Sequence, residues 1–325
     1  MSGQETKKLD AYMREEGDVG AGPASRLDWR PELPEEEFAR IASVWASYAP
    51  LDPASFEVQT PSHPQRLFGS FLYDIRPEYL KRHRLQSNLL LVGTGLDDPL
   101  PASSPIWTIV WGHWYASVGD GRLSLIDIVA ARRAGATKAE VSHYLSLGQF
   151  HGHNWLNATA RFAEDYMRDW DADDGSPGLQ WPEGWRSDPD VFQSGIDFLD
   201  FDESKLQDEV ELIREWHRRW QGEVPAYVDF YAKHWPMVLR AFRARYETAA
   251  EGPLPCQMVV LLELDIALKR TRPDAIRRAL RMAKAVGLSK DQVVQEISFT
   301  QLLLGDDSMD SAVRGLDEVL AEWEA

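Results

Sequence analysis

An internal repeat constrains the fold of this chain more than any single motif does. Residues 134–141 read AGATKAEV, and residues 286–293 read VGLSKDQV. In each segment a glycine ends one helix, a threonine or serine is placed to cap the next, and an amphipathic helix follows. Self-similarity of this kind predicts two copies of one helical unit. A residue that occurs in only one copy is therefore a better candidate for function than for maintaining the fold.

The repeat extends in both directions along the chain. Upstream of each turn, the dipeptides Leu100-Pro101 and Leu254-Pro255 precede an apolar stretch with helical spacing. The pattern predicts an apolar helix, a shorter helix and a final helical stretch in each copy. In the first copy these lie at 106–118, 123–134 and 137–166. In the second copy they lie at 258–268, 274–286 and 289–323. The final stretch is expected to break near 148–152 and near 305. Strand-like alternation with hairpin turns is scarce, so we predict an all-α protein.

An acidic run at residues 169–178, which also contains glycine and proline, separates the two copies. Such composition is typical of a linker. The first 25 residues of the chain are rich in glycine, serine and charged residues, a composition that favours a loose tail. We therefore predict a tail over 1–25, a first domain over 26–170, a linker over 171–185 and a second domain over 186–325.

Charge and cysteine content exclude several classes of protein. The net charge of −17 argues against nucleic acid or anionic membranes as partners, because both attract basic surfaces; a local basic pocket stays compatible with it. No apolar run is long enough to span a bilayer, and the N-terminus has no apolar core of a secretory signal. Cys256 is the single cysteine, which excludes an internal disulfide and favours a reducing cytoplasm.

The order of these features resembles the carboxymuconolactone decarboxylase and alkyl hydroperoxidase D superfamily. The resemblance rests on a helix led by Leu-Pro, a second helix ending in Ala-x-x-x-Gly, a Thr or Ser cap and a Glu-Val-rich helix, and it covers about residues 70–166 and 230–324. Residues 151–158, HGHNWLNA, are similar to the turn and helix that line the pocket of decarboxylase-type members. The resemblance implies two tandem helical domains of the alkyl hydroperoxidase D type, a small-molecule substrate, chemistry without a cofactor, and a homo-oligomer.

The family's reactive residues are absent at the matching positions. Peroxidase members use a Cys-x-x-Cys pair with a nearby Glu and His, and the corresponding positions here hold Leu123, Asp127 and Thr108 in the first copy and Ala275, Ala279 and Val260 in the second. Neither copy can therefore run the thiol peroxidase cycle. Cys256 also has no sequence neighbour that would lower its pKa. The usual decarboxylase histidine is missing from both copies.

The first copy nevertheless contains the side chains expected of an acid–base site. Histidine both takes and gives a proton near neutral pH, and a carboxylate can orient it. Our candidates for catalysis are His151, His153, His113 and Asp127, and those for substrate binding are Trp107, Trp111, Tyr115, Asn154 and Trp155. Alternatives stay open: the tryptophans suit a core or subunit interface, His113 suits a hydrogen-bonded core position, and His143 suits an exposed or interface face.

A metal site is not expected. Side chains that are two residues apart on a helix point to different faces, so His151 and His153 do not easily share one ion, and no further ligand lies at a supporting spacing. In the second copy, Glu263 and Asp265 are interpreted as a solvated helix face, so that copy is expected to act mainly as scaffold. The leading hypothesis is a cofactor-independent lyase or isomerase that acts on a small organic acid or unsaturated carbonyl compound. A non-catalytic binding or assembly protein is the main alternative, and a peroxidase-like redox protein is disfavoured.

Overall fold

The computed structural model describes residues 86, 90, 93, 95–101, 106–119, 124, 127–128, 131–132, 134–152 and 166–324. These residues are helical without a strand, which confirms the all-α prediction. None of the helices among them is long and apolar enough to cross a membrane. The predicted tail lies outside the described residues, as do His153, Asn154 and Trp155.

Ten α-helices have defined bounds within the described residues: α1 (Ile106–Val118), α2 (Lys138–His151), α3 (Leu206–Gln221), α4 (Ala226–His234), α5 (Pro236–Ala250), α6 (Cys256–Lys269), α7 (Pro273–Ala285), α8 (Lys290–Leu304), α9 (Asp306–Val313) and α10 (Asp317–Leu320). Helical residues also occur at 124, 127–128, 131–132 and 166–169. The predicted helices at 106–118 and 258–268 agree with α1 and α6. The stretch predicted at 289–323 divides into α8, α9 and α10, and Gly305, with φ of 75°, ends α8.

The two repeated turns have the same local structure. Thr137 caps α2 in a capping box with Glu140, and Ser289 caps α8 in a capping box with Gln292. The preceding glycine has φ of 99° in the first turn and 86° in the second. Because side-chain-bearing residues are strained at positive φ, glycine is required there. Local sequence alone is sufficient to specify these two helix starts.

One continuous core joins the two repeated segments. Helix α6 lies at its centre, with buried residues on every side, and packs against α1, α7 and α8. Trp107 of α1 contacts Phe299 of α8, with ring centroids 4.4 Å apart. Helices α1 and α2 approach so closely that a Cβ at Gly148 would lie 2.7 Å from the Ala116 side chain. The core therefore depends on contacts between residues far apart in the sequence.

A reciprocal contact also connects the two segments. The ring of His143 accepts the Leu254 amide at Nδ1 over 3.2 Å and bonds the Ala250 carbonyl through Nε2 over 3.1 Å. Gln295 follows the cap of α8 by six residues, just as His143 follows the cap of α2 by six residues. The side-chain oxygen of Gln295 accepts a hydrogen bond from the Leu100 amide over 2.6 Å. Each segment thus holds the Leu-Pro start of the other. His143, which we expected on an exposed or interface face, is 5% exposed and lies between the segments.

Candidate active site

A cavity of about 520 Å³ lies between α2, α3, α5, α6 and α7. This volume is in the range of pockets that bind small molecules. Among the predicted site residues that the structure describes, His151, at the end of α2, is the one that lines it. Phe150 lines it as well, and the other described lining residues fall within 213–279; they include Trp216, His217, Tyr227, Arg243, Arg245, Tyr246, Glu263, Arg270, Arg272, Arg278 and two alanines of α7.

The lining is basic, although the protein is acidic overall. Among the described residues, five arginines and a single carboxylate, Glu263, line the cavity. Arg243 is paired with Glu247 over 2.6 Å, and Arg278 is paired with Glu223 over 2.9 Å. The other three are Arg245, Arg270 and Arg272, and no ion pair is formed by any of them within the described part of the chain. Unpaired arginines in a concave site attract and bind anions.

Glu263 is the acidic group of the cavity. The Tyr246 hydroxyl donates a 2.7 Å hydrogen bond to its carboxylate. Burial raises the pKa of Glu263 to about 7, and the hydrogen bond from Tyr246 and the charge of Arg243 oppose that rise only in part. A carboxyl group with this pKa both holds and releases a proton near neutral pH.

His151 connects the cavity to a second histidine in the core. Its Nδ1 and the Nε2 of His113 share a hydrogen bond of 2.8 Å. His113 is fully buried, and its Nδ1 lies 3.8 Å from an Asp265 carboxylate oxygen, which is an ion-pair distance longer than a hydrogen bond. Burial lowers the pKa of both histidines, so each is neutral at pH 7. A neutral imidazole in the cavity wall is able to act as a base.

Asp265 is the centre of a buried polar cluster. Lys269 pairs with it over 2.5 Å, and the Thr300 hydroxyl donates to its other oxygen over 3.3 Å. Glu296 is also buried, and both of its carboxylate oxygens lack a hydrogen-bond partner among the described residues. Burial raises the pKa of Glu296 well above its ordinary value, which favours the protonated, uncharged form of this side chain. The cluster therefore places one ionised carboxylate behind His113.

The interpretation of Asp265 as part of a solvated helix face was wrong. Its side chain is 0% exposed, because α6 is the central helix and this face packs against α1 and α8. Glu263 lines the cavity instead of lying on a surface face. The second repeat segment thus contributes charged groups to the interior, where we expected scaffold.

The remaining predicted residues lie elsewhere in the fold. Trp107 is buried in the core, and Trp111 stacks on Tyr115 with centroids 5.6 Å apart. Asp127 lies beside Gly112, where burial raises the pKa of its carboxyl group well above the ordinary value. None of these four side chains lines the cavity. His153, Asn154 and Trp155 are outside the described residues, so their roles stay predictions.

Sequence reasoning missed most of the cavity lining. The signal that was available is the spacing of Glu263, Ala267 and Arg270, which follow each other at four and three residues and therefore share one face of α6. The described part of the chain has no group of three His, Cys, Asp or Glu side chains that could hold a metal ion. His153 lies outside the residues to which this statement applies.

No known protein family, curated protein or solved structure matches this chain.

Proposed function

We propose that this chain is an acid–base enzyme that acts on a small organic anion in the arginine-lined cavity. The proposal is carried by one observation: His151 lines that cavity and is hydrogen-bonded at its other side to buried His113. Lyase or isomerase chemistry without a cofactor, of the type that the superfamily resemblance implies, fits this arrangement. The reaction begins with removal of a proton from a carbon next to a carbonyl or carboxyl group.

His151 is the proposed base. Its Nδ1 bonds His113, and Nε2 forms no hydrogen bond within the described structure, which leaves Nε2 for a ligand. When Nε2 takes the proton, the imidazolium is favoured by the ionised carboxylate of Asp265 behind His113. The low pKa that burial imposes keeps His151 unprotonated before the reaction, which a base requires.

The arginines supply the opposite charge. As the C–H bond breaks, its electron pair moves to the carbonyl oxygen, and the enolate-like product carries negative charge there. Arg270 donates a hydrogen bond to the His151 carbonyl, so its guanidinium lies beside the base. A fixed cation at this place favours the enolate more than the neutral ground state. Glu263, with a pKa of about 7, is the proposed acid that returns a proton at a second carbon.

Solvent hydrogen exchange tests the proposal directly. Carboxylic acids are screened by thermal shift, because a ligand of the folded state raises its stability. Those that bind are incubated in deuterated water, and deuterium in the ligand is measured by NMR. We expect exchange with the native chain and loss of about a hundredfold or more with His151→Gln. The matched control is His234→Gln, because His234 is exposed and does not line the cavity.

The same experiment separates the alternatives. Equal exchange in His151→Gln and the control rejects His151 as the base, and binding without any exchange favours the non-catalytic ligand-binding protein. A peroxidase-like role stays disfavoured, because Cys256 is 4% exposed, is absent from the cavity lining, and has its pKa raised by burial. A buried thiol that resists ionisation is a poor nucleophile.

A homo-oligomer in the cytoplasm completes the proposal. The aromatic side chains of Phe230, Trp235 and Phe242 are exposed on α4 and at the start and middle of α5. Exposed aromatic groups suit a subunit contact. Light scattering during size-exclusion chromatography tests this part, and a mass of one chain rejects it.

A further inference from the structure

The cavity has two chemically different ends, and they define the shape of its ligand. We infer that it takes an elongated planar monocarboxylic acid whose carboxylate lies at Arg270 and whose far end carries a neutral hydrogen-bonding group, such as a hydroxyl. This inference rests on the proposed function and specifies its substrate class.

The distance between the two ends follows from α6. Glu263 and Arg270 both line the cavity and are seven residues apart on this helix. Seven residues are nearly two full turns, so the two side chains share a face, and a rise of 1.5 Å per residue places their Cα atoms about 10 Å apart. A ligand that contacts both ends is therefore elongated.

The Arg270 end is suited to a carboxylate. Arg245, Arg270 and Arg272 line the cavity without an ion pair in the described part of the chain. The His151 carbonyl accepts one N–H of Arg270, which anchors the guanidinium and leaves other N–H groups for a two-point contact with a carboxylate. A carboxylate bound there places the adjacent carbon atoms next to His151, where the proposed proton transfer occurs.

The Glu263 end is suited to a neutral polar group. Arg243 is the nearby cation, but it is occupied by Glu247 and by the Phe192 carbonyl, and it stacks on Trp216 at 3.8 Å. A second ligand carboxylate at this end would meet the Glu263 carboxyl without a free cation. A hydroxyl or carbonyl group instead exchanges hydrogen bonds with Glu263 and its partner Tyr246. The cavity therefore disfavours dicarboxylates.

The walls between the two ends favour a flat body. Tyr246 lies between the rings of Phe150 and Trp216, at centroid distances of 5.7 and 5.4 Å. Helix α7 contributes the small side chains Ala275 and Ala279 to the lining, together with Arg278. Aromatic rings and alanine methyl groups in one lining leave a space that an aromatic or conjugated ligand fills with large contact area.

Binding of three probes by calorimetry tests the inference without any need for turnover. The probes are 4-hydroxycinnamate, 4-carboxycinnamate and hexanoate, which share a carboxylate and differ in the far group or in planarity. We expect 4-hydroxycinnamate to bind at least tenfold more tightly than either of the others. In Arg270→Gln its affinity falls about tenfold or more, as expected for loss of a charge-assisted hydrogen bond. Arg314→Gln is the control, since Arg314 is exposed, pairs with Asp310 and is outside the cavity.

The Glu263→Gln variant tests the far end separately. Removal of the ionisable group is expected to improve binding of 4-carboxycinnamate several-fold while 4-hydroxycinnamate changes little, because glutamine still exchanges hydrogen bonds with a hydroxyl. Equal affinities for the two cinnamates in the native chain, or no effect of Arg270→Gln, overturn the inference. Exchange chemistry on a compact anion with no cinnamate binding rejects the inference alone. Binding that depends on Arg270 without any hydrogen exchange supports the inference and rejects the acid–base function.

Discussion

Replacement of Glu263 by glutamine is expected to change how the stability of the fold depends on pH. Burial raises the pKa of Glu263 from 4.5 to about 7 in the folded chain, whereas the unfolded chain keeps the ordinary value. Between these two pH values the folded state retains a proton that the unfolded state has lost. The stability contributed by the protonated group is therefore complete below about pH 4.5 and decreases as the pH rises through about 7.

The magnitude follows from the same two pKa values. At about 1.4 kcal/mol per pKa unit, a rise from 4.5 to about 7 corresponds to about 3 kcal/mol. This is an upper value, because Glu263 is only partly buried in the open cavity and water screens part of the effect. Glutamine has no proton to lose, and its side-chain oxygen still accepts the Tyr246 hydroxyl. The variant should therefore lack this component.

Urea unfolding at pH 4.5 and pH 8 measures the effect. Other groups also titrate in this range. The informative quantity is therefore the change in unfolding free energy between the two pH values in the native chain, minus the same change in the variant. We expect a difference of about 2–3 kcal/mol, with the native chain losing more stability at pH 8. Glu318→Gln is the matched control, because that side chain is exposed and outside the cavity. A difference below about 0.5 kcal/mol would refute the assigned environment of Glu263, since even a single pKa unit corresponds to about 1.4 kcal/mol.

Three further predictions concern stability and are measured by urea unfolding at pH 7. Asp265→Asn should destabilise the fold by about 3–5 kcal/mol, because Lys269 then lacks its buried carboxylate partner. Adding Lys269→Met to this variant should restore part of the lost stability. A loss below about 1 kcal/mol in Asp265→Asn contradicts a buried ion pair. His143→Ala should lower the unfolding free energy by about 2–4 kcal/mol, because it leaves two backbone groups unpaired. His143→Gln introduces the residue type of Gln295, the equivalent position in the second segment, and should cost less than half of that. Thr137→Ala and Ser289→Ala should each cost about 1 kcal/mol, since both residues belong to capping boxes; a large difference between them contradicts equivalent turns.

Several elements were predictable because their cause is local. The helix starts at Thr137 and Ser289, and the glycines before them, are specified by caps and backbone conformations that involve neighbouring residues only. The apolar character of α1 and α6 likewise indicated buried helices. His151 was found through its place at a helix break beside Gly152, where the structure ends α2.

The cavity was beyond sequence reasoning because its lining comes from helices far apart in the chain. Neither Trp216 on α3 nor Tyr246 on α5 belongs to a motif that marks chemistry, and both contribute only where these helices pack near α6. The sequence analysis gave His151, His113 and Asp127 among the catalytic candidates without showing which of them meet. The structure brings His151 and His113 together although 38 residues separate them in the sequence.

The amino-acid sequence by itself determined the helical content, the two equivalent capped turns and the acidic character of this protein. Each of these depends on composition or on contacts within a few residues. Only the tertiary structure decided that Asp265 is buried behind His113, and that Glu263 and five arginines surround one cavity. The physical reason is that burial, and with it the pKa of a carboxyl group and the availability of a cation, depends on which helices pack against each side chain.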